Sequence, residues 1–208
     1  MALIIGLSGI DGSGKTTAAV ALEQKLRKSG RKVLYHHEID FILLKPIFKI
    51  FMKMIGKNKA NDLKENLLNK TENGVAFYSD IYYIAVWFDN LIAYIYFKLR
   101  RGIVIHDRWI YDFSSFFDHK YYYNKYVTNL YMNFPRPDLL ILLTVPPEIA
   151  IVRKENDAAH IDHDIDYYRG MERKLFENAD KWKWDNIISS NQAIENIVNE
   201  IATSLDNK

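Results

Sequence analysis

The stretch LIIGLSGIDGSGKTTAAVALEQKL, residues Leu3–Leu26, decides the fold. An apolar run, Leu3–Leu7, leads into a glycine-rich bend and then into an amphipathic helical pattern. Between them, Gly9–Thr16 fits the spacing G-x-x-x-x-G-K-[ST] in the strand-to-helix context in which such loops bind phosphate. The glycines let backbone N–H groups turn around an anion, and the positive end of the helix dipole points to the same place. The segment therefore predicts a nucleoside-triphosphate site rather than an ordinary turn.

The residues of this loop have separate predicted tasks. Lys15 would reach the β- and γ-phosphates, and the Thr16 hydroxyl would ligate Mg²⁺. The remaining predicted nucleotide-binding residues belong to the same loop and helix start: Gly9, Asp11, Gly12, Ser13, Gly14 and Thr17.

Length and composition limit the number of domains and exclude several classes of protein. With 208 residues, 49% of them hydrophobic, the chain suits one globular domain spanning residues 1–208. A net charge of +2 gives no electrostatic footprint for nucleic acid, and the absence of cysteine excludes disulfides and cysteine-ligated zinc. The N-terminus lacks the basic region and cleavage site of a signal peptide, so the cytoplasm is the expected location.

Apolar runs alternate with helical patterns along the chain. The predicted strands are Leu3–Leu7, Lys32–Tyr35, Ile103–His106, Leu139–Val145 and Asn186–Ser189. The predicted helices are Lys15–Ser29, Pro46–Ile55, Val75–Arg101 and Gln192–Leu205, and a polar connector covers residues 57–70. Short apolar strands in β-α-β order indicate an α/β fold, here a parallel sheet of about five strands with helices on both faces.

A second polar pair follows an apolar strand in GIVIHDRWIYDF, residues 102–113. Asp107 and Arg108 stand at the carboxyl end of that strand, where open α/β sheets bind their ligands. A carboxylate there is suited to hold Mg²⁺ through water or to accept a proton from the acceptor. The planar guanidinium beside it is suited to grip phosphate oxygens.

Three motifs, in this order, resemble landmarks of the thymidylate kinase family: GIDGSGKTT, VIHDRW and PDLLILLTVPPEIAIVRKE. The resemblance implies a P-loop kinase fold with a short lid at about residues 153–166, and phosphoryl transfer from ATP·Mg²⁺ to dTMP. It also implies a homodimer joined through the long helix. By similarity, Lys15, Asp107, Arg108 and Arg153 are the catalytic residues. Arg108 would clamp the acceptor phosphate, and Arg153 would stand at the start of the lid over ATP.

The chain departs from the family on the acceptor side. Trp87 stands where an arginine is usual, Asp112 replaces a serine, and Phe117 replaces a polar residue. With Asp11 and Arg108, these are the predicted acceptor-binding residues. The departures favour an alternative, a kinase of the same fold that acts on a nucleoside or another small metabolite. A non-catalytic nucleotide-binding module that forms dimers is a second alternative, against which the intact Lys15–Thr16 and Asp107–Arg108 pairs speak.

Four further features leave a choice of interpretation. Ile81–Phe97 has 17 residues with Asp89 and Asn90 at its middle, which favours a buried helix over a membrane span. Lysines every fourth residue in Pro46–Ile55 and just before it favour a solvated helix face over a membrane surface. In the lid, the histidines of His160–His163 are expected in an exposed loop. Two arginines on the following helix fit either a phosphate-facing or a solvated face, and these are Arg169 and Arg173.

Overall fold

The computed structural model describes residues 1–37, 42–44, 46, 75–113, 125–155 and 164–208. The predicted helix Pro46–Ile55, apart from Pro46 itself, and the polar connector lie outside the described residues. So do Phe117 and the lid segment His160–His163.

Five parallel strands form one sheet in the order β2-β3-β1-β4-β5. The strands are β1 Leu3–Ser8, β2 Val33–His36, β3 Ile103–Asp107, β4 Leu139–Thr144 and β5 Asn186–Ser189. The central strand is β1, in which Ile5 pairs with Ile105 on one side and with Leu139 on the other. Because all strands run in one direction, their carboxyl ends share one edge of the sheet, the edge at which such folds bind ligands.

Helices surround the sheet in the described ranges. They are α1 Lys15–Lys28, α2 Val75–Lys98, α3 Lys125–Met132, α4 Pro147–Glu155, α5 Ile165–Glu177, α6 Ala179–Trp182 and α7 Ile194–Asp206. The start of α5 is fixed by Asp164, whose side chain accepts a hydrogen bond of 2.9 Å from the amide of Tyr167. Such a cap satisfies one of the backbone donors that the first turn of a helix leaves open.

The alternation of side chains along the strands divides the core into two layers. Ile5 and Leu7 of β1 face a cluster that includes Leu22 of α1 and Ile201 of α7. Ile4 faces the opposite cluster, which contains side chains of α2, α3 and α5. Both sheet faces are therefore covered by helices, which is why the strand sequences are apolar throughout rather than alternating.

The predicted α/β fold is confirmed, and the strand and helix bounds that lie in the described ranges agree with the sequence prediction to within three residues. No helix in the described ranges is long and apolar enough to cross a membrane. The polar middle of α2 has a structural task, because the buried Asp89 carboxylate accepts hydrogen bonds from the amides of Ile42, Leu43 and Leu44. One face of Ile81–Phe97 therefore agrees with the buried-helix interpretation, whereas Phe88 and Ile92 on the other face are about half exposed.

Candidate active site

The phosphate loop is a tight backbone cradle between β1 and α1. Gly12 and Gly14 have φ of 80° and 81°, in the left-handed region that favours glycine. A Cβ on Gly12 would lie 2.5 Å from the carbonyl oxygen of Ala150 in α4, so the loop also packs too closely for a side chain there. The amides of the first turn of α1, from Lys15 onward, have no earlier carbonyl of the helix to bond. These amides and the dipole of α1 are suited to bind an anion.

Lys15 lies folded onto this loop. Its ammonium donates to the carbonyl oxygens of Gly9 at 2.6 Å and Ile10 at 2.8 Å, and only 4% of the residue is exposed. Burial, and after it the charge of Arg108, lower the pKa of Lys15 to about 8. The ammonium is thus confined at the phosphate loop, where an anionic ligand would be its natural counter-ion.

Arg108 reaches across to the phosphate loop. Its guanidinium donates to the Asp11 carboxylate, and both side chains are largely buried. Burial opposes ionisation of Asp11, but the charges of Arg108 and Lys15 outweigh it, so the pKa of Asp11 lies below its ordinary value. The ion pair joins two of the predicted acceptor-binding residues, which are 97 positions apart in the sequence.

Asp107 is fully buried at the end of β3 and is held by one residue of the neighbouring strand β2 and by the residue that follows that strand. Its Oδ2 accepts from the Tyr35 hydroxyl at 3.0 Å and lies 2.7 Å from Nδ1 of His37. Burial and the nearby carboxylate raise the pKa of Tyr35, which keeps this phenol a donor. Oδ1 of Asp107 makes no hydrogen bond within the described residues, so one buried carboxylate oxygen is left for a ligand.

Asp112 adds a second buried carboxylate beside the loop. It is 0% exposed, and burial raises its pKa to about 6 even though Lys15 and Arg108 act in the opposite direction. The Ser8 side chain and the Gly9 backbone are smaller influences that also favour its ionised form. The residue that replaces the family's serine therefore lies among the charges of the phosphate site.

A cleft of about 320 Å³ opens beside the loop. Its walls are Gly12, Gly14, Lys15, Thr16, Thr17, Arg108, Arg153 and Lys154. Arg153 holds the rim in place, because its guanidinium donates to Gly12 O at 3.3 Å and to Ser190 O at 3.0 Å. Four cationic side chains thus line one cleft, which is the charge pattern that a polyphosphate requires.

Two sets of predicted residues are not part of this arrangement. The Trp87 indole donates to the carbonyl oxygen of Leu130 at 3.0 Å and packs against Phe134, so in this structure it joins α2 to α3. Arg169 pairs with Glu148 at 2.9 Å, and Arg173 lies 3.8 Å from Glu177. Both arginines are more than half exposed, which favours the solvated helix face over a phosphate-facing one.

Sequence reasoning missed several residues of the site. Tyr35 and His37 are two positions apart at the carboxyl end of β2, so they point to one side of the sheet edge next to Asp107. Their spacing of two residues at a strand end could have identified both as neighbours of Asp107. Lys154 follows a predicted site residue and enters the same cleft. Ser190, which holds Arg153, offers no local signal because its contact is 37 positions away.

Comparison with known proteins gives a consistent family. The profile of the thymidylate kinase family matches residues 7–201. A probable thymidylate kinase of Archaeoglobus fulgidus is 29% identical, over 96% of this chain and 92% of that protein. A probable thymidylate kinase of Sulfolobus acidocaldarius is also 29% identical, over 95% and 93% of the two chains. Probable thymidylate kinase 1 of Saccharolobus solfataricus is 26% identical, over 99% of this chain and 100% of that one.

Proposed function

The chain belongs to the thymidylate kinase family, and we propose that it transfers the γ-phosphoryl group of ATP to dTMP at the cleft between the phosphate loop and Arg108. The observation that carries the proposal is the Arg108–Asp11 ion pair, which joins the predicted acceptor clamp to the donor loop. The alternatives, a nucleoside or small-metabolite kinase and a non-catalytic module, have no support in the family comparison.

On the donor side, the loop residues 9–17 bind the triphosphate. The Lys15 ammonium lies on this loop and would exchange its bonds with the carbonyl oxygens of Gly9 and Ile10 for bonds with phosphate oxygens. Such an exchange replaces neutral carbonyl partners by anionic ones and raises the pKa of Lys15 from about 8. Arg153, tied to the loop and to Ser190, forms the outer wall over the nucleotide.

On the acceptor side, the Arg108 guanidinium binds the phosphate of the monophosphate. Asp11 keeps the guanidinium oriented before the acceptor binds. Because this site is largely buried, its low local dielectric strengthens each charge interaction. Phosphoryl transfer depends mainly on positioning and on neutralising charge on the phosphoryl oxygens. Lys15, Arg108 and Lys154 supply that charge from the walls of one cleft.

Mg²⁺ fits the oxygen atoms that the site offers. Thr16 contributes an exposed hydroxyl in the cleft, and Asp107 has a buried carboxylate oxygen without a hydrogen bond in the described residues. Hydroxyl, carboxylate and phosphate oxygens are the ligands that Mg²⁺ prefers. When bound, the ion would neutralise phosphate charge, with Thr16 and Asp107 as its protein ligands, directly or through water.

We also propose that the protein is a homodimer joined through α2. Phe88, Ile92, Ile95 and Tyr96 are between 44% and 54% exposed and follow each other at helical spacing. Leu99, just beyond the helix, extends the same apolar strip at 75% exposure. A contiguous apolar face of this kind marks an interaction surface on a folded protein. The cytoplasmic location and the absence of nucleic-acid partners stay predictions.

Arg108→Ala tests the proposal most specifically. We expect KM for dTMP to rise by about 10²-fold, because the charge-assisted contact to the acceptor phosphate is lost. KM for ATP should change by less than about threefold, because Lys15, Arg153 and Lys154 still line the donor cleft. Arg173→Ala, an exposed arginine on α5, is the matched control and should leave both constants unchanged. An unchanged KM for dTMP in Arg108→Ala would refute the assignment of the acceptor site.

A further inference from the structure

The backbone at Arg108 is held in an unusual conformation. Its φ is 91°, and in the described ranges Lys183 is the other non-glycine residue with positive φ. A non-glycine residue in this region carries a strain of about 1–3 kcal/mol, so neighbouring contacts must maintain it. The conformation matters because it directs the Arg108 side chain from the end of β3 toward Asp11.

Two hydrogen bonds fix the peptide unit that follows Arg108. The Trp109 amide donates to the carbonyl oxygen of Leu7 in β1 at 2.7 Å. On the other end of the same peptide, Nδ1 of His106 lies 3.0 Å from the Arg108 carbonyl oxygen. A carbonyl oxygen only accepts, so Nδ1 of His106 carries the hydrogen and donates it. Both polar groups of the peptide are thus bonded, and rotating the peptide would break both bonds.

The His106 ring is itself locked in place. Only 6% of the residue is exposed. Its ring centre lies 4.8 Å from that of His36, 5.3 Å from that of Trp109 and 6.4 Å from that of Phe97. A ring fixed by packing donates to one place only, which makes it a rigid support for the Arg108 carbonyl.

We infer that His106 is a positioning residue for the acceptor site: through Nδ1 it holds the Arg108–Trp109 peptide and thereby aims the Arg108 guanidinium. The inference rests on the proposed function for the role of Arg108, but the peptide support itself does not depend on it. His106 touches no substrate in this account and acts through Arg108 alone.

Three substitutions separate donation from packing. His106→Asn places an amide nitrogen close to the position of Nδ1 and keeps the donor. His106→Leu removes the donor and keeps an apolar side chain, and His106→Gln moves the donor one carbon away. Phe97→Leu is the control, because it trims the more distant neighbour of the ring and leaves His36, Trp109 and the hydrogen bond in place.

In His106→Leu and His106→Gln, KM for dTMP should rise by about tenfold or more, because small misplacements of a positioned group reduce rates by up to about 10²-fold. KM for ATP should stay within about twofold of the wild-type value. His106→Asn and Phe97→Leu should stay near the wild type. In an Arg108→Ala background, His106→Leu should add little. Two results would overturn the inference. One is an equal rise of KM for dTMP in His106→Asn and His106→Gln, and the other is an effect of His106→Leu that is as large in the Arg108→Ala background as in the wild type. If His106→Leu does not fold, the Asn and Gln pair decides.

A second readout does not require turnover. Hydrogen exchange of the Trp109 amide should be at least about tenfold faster in His106→Gln than in His106→Asn, because the peptide has lost one of its two supports. Equal exchange rates of this amide in the two variants would show that His106 does not hold the Arg108–Trp109 peptide. A wild-type protein that does not phosphorylate dTMP would instead refute the proposed function, and the exchange comparison would still decide the role of His106.

Discussion

Asp112→Asn should make the protein more stable at neutral pH. The substitution keeps the shape of the side chain and removes a carboxylate that is 0% exposed. Burial is the largest influence on this group and raises its pKa from 3.8 to about 6, so the folded protein resists its ionisation. Asparagine has no such charge to bury.

The magnitude follows from the change in pKa. A rise from 3.8 to about 6 corresponds to about 3 kcal/mol, at about 1.4 kcal/mol for each pH unit. The folded state binds more protons than the unfolded state between these two pKa values, so the wild type loses stability as pH rises from about 4 to about 6. Above about pH 6 the full penalty is present, and below about pH 4 it is absent. Asp112→Asn lacks this slope.

Urea denaturation at several pH values from about 4 to about 8 measures the effect. The variant should exceed the wild type by about 2–3 kcal/mol at about pH 7, and the difference should vanish toward about pH 4. Asp206→Asn is the control, because Asp206 is 64% exposed and its loss should shift stability by less than about 0.5 kcal/mol. A variant less stable than the wild type at neutral pH would refute the reasoning, since Lys15 and Arg108 would then more than repay the burial of the carboxylate.

Three further predictions concern the loop, α2 and the dimer. Lys15→Ala should lower kcat by at least about 10²–10³-fold without unfolding the protein, and near-normal turnover would refute the phosphate-loop assignment. Asp89→Asn should destabilise the protein by about 2–3 kcal/mol in urea denaturation, because charge-assisted bonds to three backbone amides are weakened; a loss below about 0.5 kcal/mol would show that the carboxylate does not stabilise the fold. Light scattering should show a dimer, which Ile92→Lys should dissociate. Ile187 is a half-exposed residue on β5, so Ile187→Lys is the control and should leave the dimer intact. A monomeric wild type at micromolar concentration would contradict the proposed interface.

The phosphate loop was predictable because its signal is local. The glycines, Lys15 and Thr16 follow each other within one β-α turn, and only backbone geometry is needed to relate them. The same is true of the strands, whose apolar runs are bounded by glycine and by polar residues. Element bounds differ from the prediction mainly at helix ends, as at α2, which ends at Lys98 rather than Arg101. The last residues of a helix are fixed by capping contacts that periodicity does not report.

The charge network of the site was not predictable in the same way. The partners Asp11 and Arg108 were named separately, but their pairing depends on how β1 and β3 align. The positive φ of Arg108 and its support by His106 also arise from tertiary packing. The contact of Trp87 was not predictable either, because its indole donates to Leu130, a residue of another helix. Spacing along a helix shows which residues share a face, but it does not show what that face contacts until the packing of the neighbouring helices is known.

Steady-state phosphorylation of dTMP, measured beside thymidine and dUMP with ATP and Mg²⁺, decides whether the protein is a nucleoside monophosphate kinase. We expect conversion of dTMP to dTDP. The specificity constant for thymidine should be lower by at least about 10²-fold, because thymidine lacks the phosphate that Arg108 binds and leaves that guanidinium without its acceptor ligand. Phosphorylation of thymidine at a rate equal to that of dTMP, or no turnover of dTMP while the wild-type protein still binds ATP, would contradict the proposed function.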